Sequence, residues 1–364
     1  MIAQTPTSTT AHTGGAPTLE RHQDLDAIRD EWVALAERCG NPFGTWEWAA
    51  TWWEHFGGNR PLLITACRRP DGALAAILPL YLSTRGPLRM VRFLGHGVGD
   101  VLGPICARED AAVAASALRR VLDEEGRSWD LLLAERMPRD SFSELLPGRV
   151  LQEEANPVLP IDGMSWDEFL ASCSSNLRGQ IRRKRRKLER EHGSRFRLAD
   201  DRERLDDDFD TLLQLHSARW GGPRAFSEQR SAFHRDFAAR AFERGWLRLW
   251  FLEVDGRAVA AWHGFRFGNV EWYYQFGRDP SWDRLSVGFT LLARTMQAAF
   301  EDGMSSYAFL RGDEEYKRRF ATRDAGLETV AVPRGPLGLA ALSAAGAAKR
   351  MPPSIRHRVE RSLG

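Results

Sequence analysis

The sequence lacks the cysteine and histidine patterns that mark disulfide-stabilised or zinc-binding proteins. Its four cysteines, Cys39, Cys67, Cys106 and Cys173, stand far apart and include no Cys-X-X-Cys pair. Its nine histidines show no paired spacing that would suit a metal site. We therefore expect neither a disulfide framework nor a bound metal ion, and the composition indicates a cytoplasmic protein.

Long apolar runs and a strong charge of one sign are also absent. No stretch reaches the roughly 20 apolar residues that a membrane-spanning helix requires. Lysine and arginine total 51 against 49 acidic residues, a net charge of +2, so we expect no general attraction to nucleic acid. Residues 1–17 are rich in Thr, Ala, Gly and Pro without the order of a signal peptide, and a disordered leader is expected there.

The second half of the chain has clear strand and helix patterns. Three antiparallel strands are predicted over residues 247–276, with turns at residues 255–256 and 268–269. A helix over residues 287–302 and a strand over residues 307–310 follow. Upstream, Ser165 opens a helical region that ends at His192, with a break near residues 174–176, and two more helices follow it.

The first half follows a similar plan. Strands are predicted at residues 62–67 and 73–80, around an Asp-Gly turn, and a helix over residues 111–125 leads to a strand at residues 129–133. The second half has the same order of strand, Asp-Gly turn, strand, helix and strand. A diverged tandem duplication explains this order. Chance remains the alternative, because Asp-Gly turns are common.

A chemically rich loop follows the last predicted strand of the second half. The run from Leu310 to Phe320 contains Asp313, Glu314, Tyr316 and Lys317 within a few residues. A strand that ends in such a loop delivers acidic, phenolic and cationic groups to one place. We therefore regard this loop as the main candidate for a reactive site.

Several short motifs in the same order resemble the GNAT superfamily, and in particular its tandem branch with the CelD-type acetyltransferases and the Fem-type peptidyl transferases. They are Asn41-Pro42-Phe43-Gly44-Thr45-Trp46-Glu47-Trp48, Arg92-Phe93-Leu94-Gly95 with Gly99-Asp100, Arg186-Lys187-Leu188-Glu189, and Gly312 with Tyr316-Lys317. The resemblance implies an α/β (α+β) protein of two tandem GNAT-like domains, each a mixed, mainly antiparallel sheet flanked by helices. It places a diverged domain at residues 18–164, a catalytic domain at 165–334 and a tail at 335–364.

The resemblance also implies acetyl-CoA or another acyl-CoA as the donor, with no metal. In a GNAT domain the donor pyrophosphate lies at the start of the helix after the third meander strand, where free N–H groups favour an anion. The corresponding residues are Arg284, Leu285, Ser286, Val287 and Gly288. The fuller glycine-rich loop of the family is missing here, and an ordinary capped helix is the alternative.

Three residues are candidates for the chemical step. Acyl transfer from a thioester needs a base for the acceptor and an acid for the leaving thiolate. Tyr316 is the candidate acid, because a phenol keeps its proton at neutral pH. His263, in the middle of a predicted strand, and Glu314 are candidate bases. Each has a structural alternative, since a tyrosine or a strand histidine often only packs.

The candidates for substrate binding are all charged. Lys317 and Asp313 lie in the loop, whereas Arg183 and Arg186 lie in a basic helical run, residues 178–190. This run could hold a sugar phosphate, an anionic lipid surface or RNA. No aromatic residues stand between its charges, so a solvated helix face remains an equal alternative.

Together these patterns predict an acyl-CoA-dependent N- or O-acyltransferase, in the first place an acetyltransferase. The expected acceptor is a small molecule or glycan, namely a sugar or precursor of the cell envelope or of polysaccharide biosynthesis. An aminoacyl-tRNA-dependent Fem-type transferase and a non-catalytic module that binds polyanions or membranes are the alternatives. We expect a cytoplasmic protein without a nucleic-acid partner, and the apolar tail over residues 337–342 leaves peripheral contact with the inner membrane face open.

Overall fold

The computed structural model describes residues 17–139, 145–220 and 227–349. The leader expected over residues 1–17 lies outside the described residues apart from Pro17, as does the tail beyond residue 349. Two large sheets and their flanking helices form the described part of the chain. None of its helices is both long and apolar enough to cross a membrane.

The first sheet is mixed and mainly antiparallel. Its strands are β1 (Thr18–His22), β2 (Leu62–Arg68), β3 (Leu74–Arg85), β4 (Leu88–Phe93), β5 (Ile105–Cys106), β6 (Leu131–Pro138), β7 (Arg149–Glu154) and β15 (Leu327–Pro333). They follow the order β1-β2-β3-β4-β6-β15-β7, with β5 paired to β3. The pairing of β4 with β6 is parallel, and all other pairings are antiparallel.

The second sheet has the same character. Its strands are β8 (Pro157–Pro160), β9 (Arg195–Leu198), β10 (Leu247–Val254), β11 (Arg257–Phe267), β12 (Val270–Arg278), β13 (Ser306–Ala308) and β14 (Arg323–Asp324). They follow the order β14-β8-β13-β12-β11-β10-β9, and only β12 and β13 pair in parallel. The three predicted strands over residues 247–276 are confirmed as β10, β11 and β12.

Ten α-helices cover the sheets in the described residues. They are α1 (Arg29–Cys39), α2 (Trp46–Trp52), α3 (Ala111–Glu124), α4 (Trp166–Ser172), α5 (Ser175–His192), α6 (Leu205–Trp220), α7 (Glu228–Glu243), α8 (Val287–Glu301), α9 (Glu315–Arg318) and α10 (Gly335–Lys349). Ser165 and Glu168 form the capping box at the start of α4, and Gly193 ends α5 with a positive φ of 53°. The predicted break in this helical region is confirmed between α4 and α5.

The order of elements repeats along the chain. Each half contains, in chain order, one strand, two helices, three strands, one helix and a last strand. In the first half these are β1 to β6 with α1 to α3, apart from β5, and in the second half they are β9 to β13 with α6 to α8. The expected α/β class, with two mixed, mainly antiparallel sheets flanked by helices, is confirmed. In each sheet, one strand of the parallel pair also pairs in antiparallel fashion with a strand from another part of the chain. This partner is β15, next to β6, in the first sheet and β8, next to β13, in the second.

These two strands join the halves of the chain, and so does a shared core. β8 belongs to the second sheet although it precedes residue 165, and β15 belongs to the first sheet although it precedes residue 335. The domain boundaries expected at residues 165 and 335 thus separate β8 and β15 from the rest of the sheets to which they belong. These boundaries stay a prediction. Aromatic rings connect the halves directly, as between Trp48 of α2 and Phe237 of α7, whose centroids lie 4.7 Å apart.

Candidate functional site

One large opening in the second sheet lies where its parallel strands separate. β12 pairs with β13 only from Val270 to Trp272. Beyond this point the two segments diverge, and Tyr273–Phe276 on one side and Phe309–Arg311 on the other line a cavity of about 460 Å³. We call it the acceptor cavity. Because β13 no longer covers β12 here, backbone groups of β12 face this space.

A β-bulge shapes this edge of β12. His263 pairs with Gln275 and Gly264 pairs with Tyr273, so Tyr274 is an extra residue on β12. The phenol of Tyr274 donates a hydrogen bond of 2.8 Å to the carbonyl oxygen of Val98 in the first half of the chain. Gly264 lets the strands approach, because a Cβ there would lie 2.0 Å from the carbonyl oxygen of Trp272.

The first half supplies one wall of the acceptor cavity. Gly97, Val98 and Asp100 line it together with residues of the second half. The carboxylate of Asp100 is 3.0 Å from the guanidinium of Arg311 and 3.8 Å from that of Arg136. Burial raises the pKa of Asp100 to about 6, although both arginines oppose this shift. This shift brings the pKa of Asp100 closer to neutral pH than that of an ordinary aspartate.

Two tyrosines stand at the inner end of the acceptor cavity. Tyr316, on α9, donates a hydrogen bond of 3.4 Å to the phenol oxygen of Tyr273. Burial raises the pKa of both phenols above the ordinary value. Both groups consequently remain protonated at neutral pH and can donate hydrogen bonds or a proton.

Lys317 is a buried cation beside this pair. Its ammonium group donates hydrogen bonds of 3.4 and 2.5 Å to the carbonyl oxygens of Leu310 and Arg311. It also forms an ion pair of 3.0 Å with the half-exposed carboxylate of Glu314. Burial lowers the pKa of Lys317, and the carboxylate of Glu314 opposes that shift. Leu310 adopts a φ of +57°, which is unusual for this residue type. The lysine thus fixes a strained turn at the cavity wall.

A smaller cavity of about 200 Å³ continues from the acceptor cavity. It shares Arg219, Tyr273, Phe276 and Tyr316 with the larger one, and the start of α8 forms its other wall with Gly288, Phe289 and Leu292. We call it the donor cavity. Ser286, just before α8, has a positive φ of 56° and makes no side-chain cap to the helix. The first N–H groups of α8 are therefore left without a side-chain acceptor at this end.

Two basic side chains, one from α5 and one from the residue after α9, lie around Phe289 of the donor cavity. The ammonium group of Lys184 lies 4.6 Å from the centre of the Phe289 ring, and the guanidinium of Arg319 lies 5.4 Å from it. Arg319 also donates a hydrogen bond of 2.9 Å to Gln180. This positive rim, together with the start of α8, is suited to an anionic group such as a phosphate.

The structure brings four of the predicted site residues to these cavities. Tyr316, Glu314 and Lys317 line the acceptor cavity, and Gly288 lines the donor cavity. The roles predicted for them stay predictions. A Cβ at Gly288 would lie 3.0 Å from the Phe276 ring, so this glycine also serves packing.

The other predicted site residues lie elsewhere. Arg284, Leu285 and Ser286 do not line the donor cavity, and Val287 is fully buried in the core. Asp313 is exposed and forms an ion pair with Arg318. Arg183 and Arg186 lie on the exposed face of α5, away from the acceptor cavity.

His263 is also not part of the cavity wall. It is 1% exposed and is surrounded by the rings of Phe209, Phe265 and Tyr274. Neither ring nitrogen has a hydrogen-bond partner in the described residues. Burial lowers its pKa to about 3, so the imidazole is neutral. The structure therefore does not place this histidine where an acceptor could reach it.

Sequence reasoning missed several residues of the acceptor cavity. They are Asp100, His216, Arg219, Arg230, His234, Tyr273 and Arg311. Asp100 was present in a family-like motif and Arg311 in the reactive loop, so both carried a signal. The histidines and arginines of α6 and α7 carried none, because their side chains reach the cavity only through the packing of these helices.

The chain shares sequence features with one known domain family. Residues 175–318 match the acetyltransferase (GNAT) domain family. The matched range contains β10 to β13, α8 and Tyr316, so the similarity to this family lies in the second half of the chain. No curated protein sequence matched the chain.

Solved structures show a similar fold over most of the chain. FemX aligns with a TM-score of 0.61 and 13% identity, covering 84% of this chain and 96% of its own. The C-terminal domain of a protein described as a lysylphosphatidylglycerol synthetase from Agrobacterium fabrum aligns with a TM-score of 0.58 and 13% identity, covering 88% and 96%. L-PGS from Bacillus licheniformis gives 0.51 and 15%, covering 93% and 96%. At these identities the likeness shows the fold alone, and it agrees with two tandem GNAT-like domains.

Proposed function

We propose that this protein transfers an acyl group from an acyl-CoA to an amine or hydroxyl acceptor. The observation that carries the proposal is the protonated pair of Tyr273 and Tyr316 at the junction of the donor and acceptor cavities. A thioester that enters from the start of α8 would present its carbonyl carbon to an acceptor at this junction. Within the superfamily, we propose the tandem branch with the CelD-type and Fem-type enzymes.

The donor cavity fits the phosphates and the thioester arm of coenzyme A. The start of α8 and the cations Lys184 and Arg319 offer positive charge for the phosphates. Phe289 and Leu292 offer apolar surface for the arm between the phosphates and the sulfur atom. Acetyl-CoA is the donor we favour, since residues 175–318 match an acetyltransferase domain family.

The chemical step follows from these positions. The acceptor lone pair attacks the thioester carbonyl, and the carbon–sulfur bond breaks as the new bond forms. Backbone N–H groups on the separated edge of β12 would stabilise the oxyanion. Tyr316 turns its hydroxyl proton from Tyr273 to the leaving thiolate and protonates it. The hydroxyl of Tyr273 then reverses its direction and donates a hydrogen bond to the Tyr316 phenolate.

A carboxylate in the acceptor cavity is suited to take the proton of the acceptor. Asp100 and Glu314 both line this cavity. We favour Asp100, because burial raises its pKa to about 6 and so brings it nearer to that of a useful base at neutral pH. Both carboxylates form an ion pair of 3.0 Å, Asp100 with Arg311 and Glu314 with Lys317, so the pairing itself does not decide between them.

The acceptor cavity supports a polar acceptor that carries an acidic group. Arg230, Arg311 and Lys317 contribute positive charge, while Tyr273, Tyr274 and Phe276 contribute aromatic surface. Such walls suit a sugar or sugar precursor with a phosphate or carboxylate. A precursor of the cell envelope or of a polysaccharide has this chemistry.

A second donor, aminoacyl-tRNA, is favoured by one observation. The exposed face of α5 carries Arg182, Arg183 and Arg186, which form no ion pair in the described residues, and α5 borders the donor cavity through Lys184. This face could follow a phosphate backbone. The net charge of +2 gives no wider attraction to RNA, so acyl-CoA remains our first choice.

The proposal is tested by thiol release from acetyl-CoA in the presence of amino sugars and sugar phosphates, followed by mass spectrometry of the acceptor. We expect acceptor-dependent thiol release in the wild type and a rate lowered by roughly 10- to 1000-fold in Tyr316→Phe. Transfer from aminoacyl-tRNA without any thiol release from acyl-CoA would favour the second donor. Failure of both donors would contradict an acyltransferase.

A further inference from the structure

A second large cavity lies between the two halves of the chain, separate from the proposed site. Its volume is about 430 Å³, within the range of small-molecule sites. The first half contributes the loop after α1 and the segment around β5, and the second half contributes the paired parts of β12, β13 and β8. We call it the interdomain cavity. The packed rings of Phe43 and Tyr274, with centroids 5.4 Å apart, stand between it and the acceptor cavity.

The interdomain cavity is the more apolar of the two large cavities. Its walls include Leu94, Val101, Ile105, Val158 and Trp272, and prolines contribute further apolar surface. Such a surface favours an apolar ligand body, because burying it removes carbon surface from water. Proteins use this kind of lining, with a few polar groups, to bind small organic molecules.

The charged groups of the interdomain cavity all have one sign. Arg108 and Arg323 line it, whereas no aspartate or glutamate does among the described residues. Neither arginine has a carboxylate within ion-pair distance in the described part of the chain. Two guanidinium groups without acidic partners provide charge complementarity for an anion.

One polar side chain in the wall lacks a partner. Asn156 is 7% exposed, and its side-chain oxygen makes no hydrogen bond in the described residues. The backbone of Asn156 is satisfied, with its N–H bonded to Asp324 and its carbonyl oxygen to Ala325. A buried amide oxygen without a partner costs stability, and only a hydrogen-bond donor of an occupant, such as a hydroxyl or N–H group, would remove this cost.

We propose that the interdomain cavity binds a small amphipathic monoanion, an apolar body of fatty-acid or arene type that carries one carboxylate or similar group. The apolar body lies against the walls around Trp272, and the anionic group lies near Arg108 and Arg323. The side-chain oxygen of Asn156 accepts a hydrogen bond from any hydroxyl or N–H group that the occupant carries besides its anionic group. Since Trp272 immediately precedes Tyr273 of the acceptor cavity, an occupant also holds the two halves together beside the proposed site.

Decanoate is the probe for the direct test, with 1-decanol as its uncharged counterpart. Calorimetry on the full chain should show one decanoate bound per chain and clearly weaker binding of decanol. Arg108→Gln with Arg323→Gln should weaken decanoate binding by roughly tenfold or more, the effect of losing charge-assisted contacts. Arg257→Gln is the matched control, because this exposed arginine at the start of β11 does not line the cavity.

Three outcomes would overturn the proposal. They are no binding of decanoate to the wild type, equal binding of decanoate and decanol, and displacement of decanoate by coenzyme A, which would place it in the donor cavity. Cysteine protection gives an independent readout, since Cys39 and Cys106 line the cavity. Decanoate should slow their alkylation, mapped by mass spectrometry, and leave that of Cys173 unchanged. Equal rates with and without decanoate would contradict the assignment.

Discussion

The two sheets each contain one parallel pair of strands, and in the described residues the space just beyond the two pairs is filled differently. In the first sheet, β4 and β6 pair in parallel as far as Arg92 and Leu133. Just beyond, a Cβ at Gly95 would lie 2.7 Å from the indole nitrogen of Trp48, and Trp52 donates a hydrogen bond of 3.1 Å to the carbonyl oxygen of His96. Two buried tryptophans of α2 thus fill the space that is open between β12 and the segment after β13.

This difference shows how the two copies of a repeated architecture can come to differ in the space beyond their parallel strands. The order of strands and helices is the same in both halves. The difference lies in side chains. In the first half, large side chains of α2 occupy the space beyond the parallel pair. Trp48 also packs against Phe233 and Phe237 of α7. In the first half, the space has therefore become part of the contact between the halves.

The largest effect, a loss of stability, is expected from removing the buried Trp48 side chain that packs at the first sheet. Trp48→Ala should destabilise the protein by about 3–5 kcal/mol, because it deletes a fully buried aromatic side chain. Chemical unfolding measures this change. Trp282→Ala, at a half-buried position, is the control and should cost clearly less. A change in Trp48→Ala no larger than in the control would mean that the first sheet is not closed by this residue.

A smaller but more specific effect is expected from the tyrosine pair of the second sheet. Tyr316→Phe should lower kcat by roughly 10- to 1000-fold, because it removes the proton donor for the thiolate. The affinity for coenzyme A should change little, since the phenyl ring stays in place. Thiol release and calorimetry measure the two quantities. Unchanged turnover would assign Tyr316 a packing role only.

The pH dependence of kcat/KM tests the role of Asp100, a residue of the first half that lines the acceptor cavity. Asp100, with a pKa raised to about 6, must be ionised to accept a proton, so kcat/KM should fall as the pH drops below 6, by about tenfold per pH unit. The charged groups that act on it are Arg311, Arg136, Lys317 and Glu154. Asp100→Asn should have low activity and lose this acidic limb. A wild-type profile that is flat between pH 5 and 7 would contradict a role for Asp100 as the base.

The smallest effect is expected on the outer face of α5. Replacement of Arg182, Arg183, Arg185 and Arg186 by glutamine should change kcat/KM for acyl-CoA by only a few fold, about the size of exposed charge effects. Arg183 does not line the described cavities, and the other three lie at a groove between α4, α5 and α8. Salt-sensitive binding of tRNA that this substitution abolishes would instead favour the aminoacyl-tRNA donor.

Much of the fold was predictable, because hydrophobic alternation and turn residues are local signals. Asp255–Gly256 and Gly268–Asn269 form the expected turns with positive φ angles, and the strands between them are confirmed. The exchange of β8 and β15 was not predictable. These short strands depend on pairing partners that lie more than a hundred residues away for β8 and nearly two hundred for β15.

The site was predictable only where the chain brings its residues together locally. Glu314, Tyr316 and Lys317 share one loop, and all three reach the acceptor cavity. His263 was placed correctly in the middle of a strand, but the pairing of β11 with both neighbours buries it among aromatic rings. Asp100 reaches the site through an ion pair across the two halves, which a reading of either half alone cannot show.

Hydrogen–deuterium exchange of the full chain, with and without coenzyme A, tests the central claim most directly. We predict that coenzyme A protects amides at the start of α8 and along the end of β12, and leaves the start of α3 and the end of β4 unchanged. Protection at the start of α3, or at neither helix when coenzyme A is saturating, would contradict a donor site formed by the second parallel pair alone.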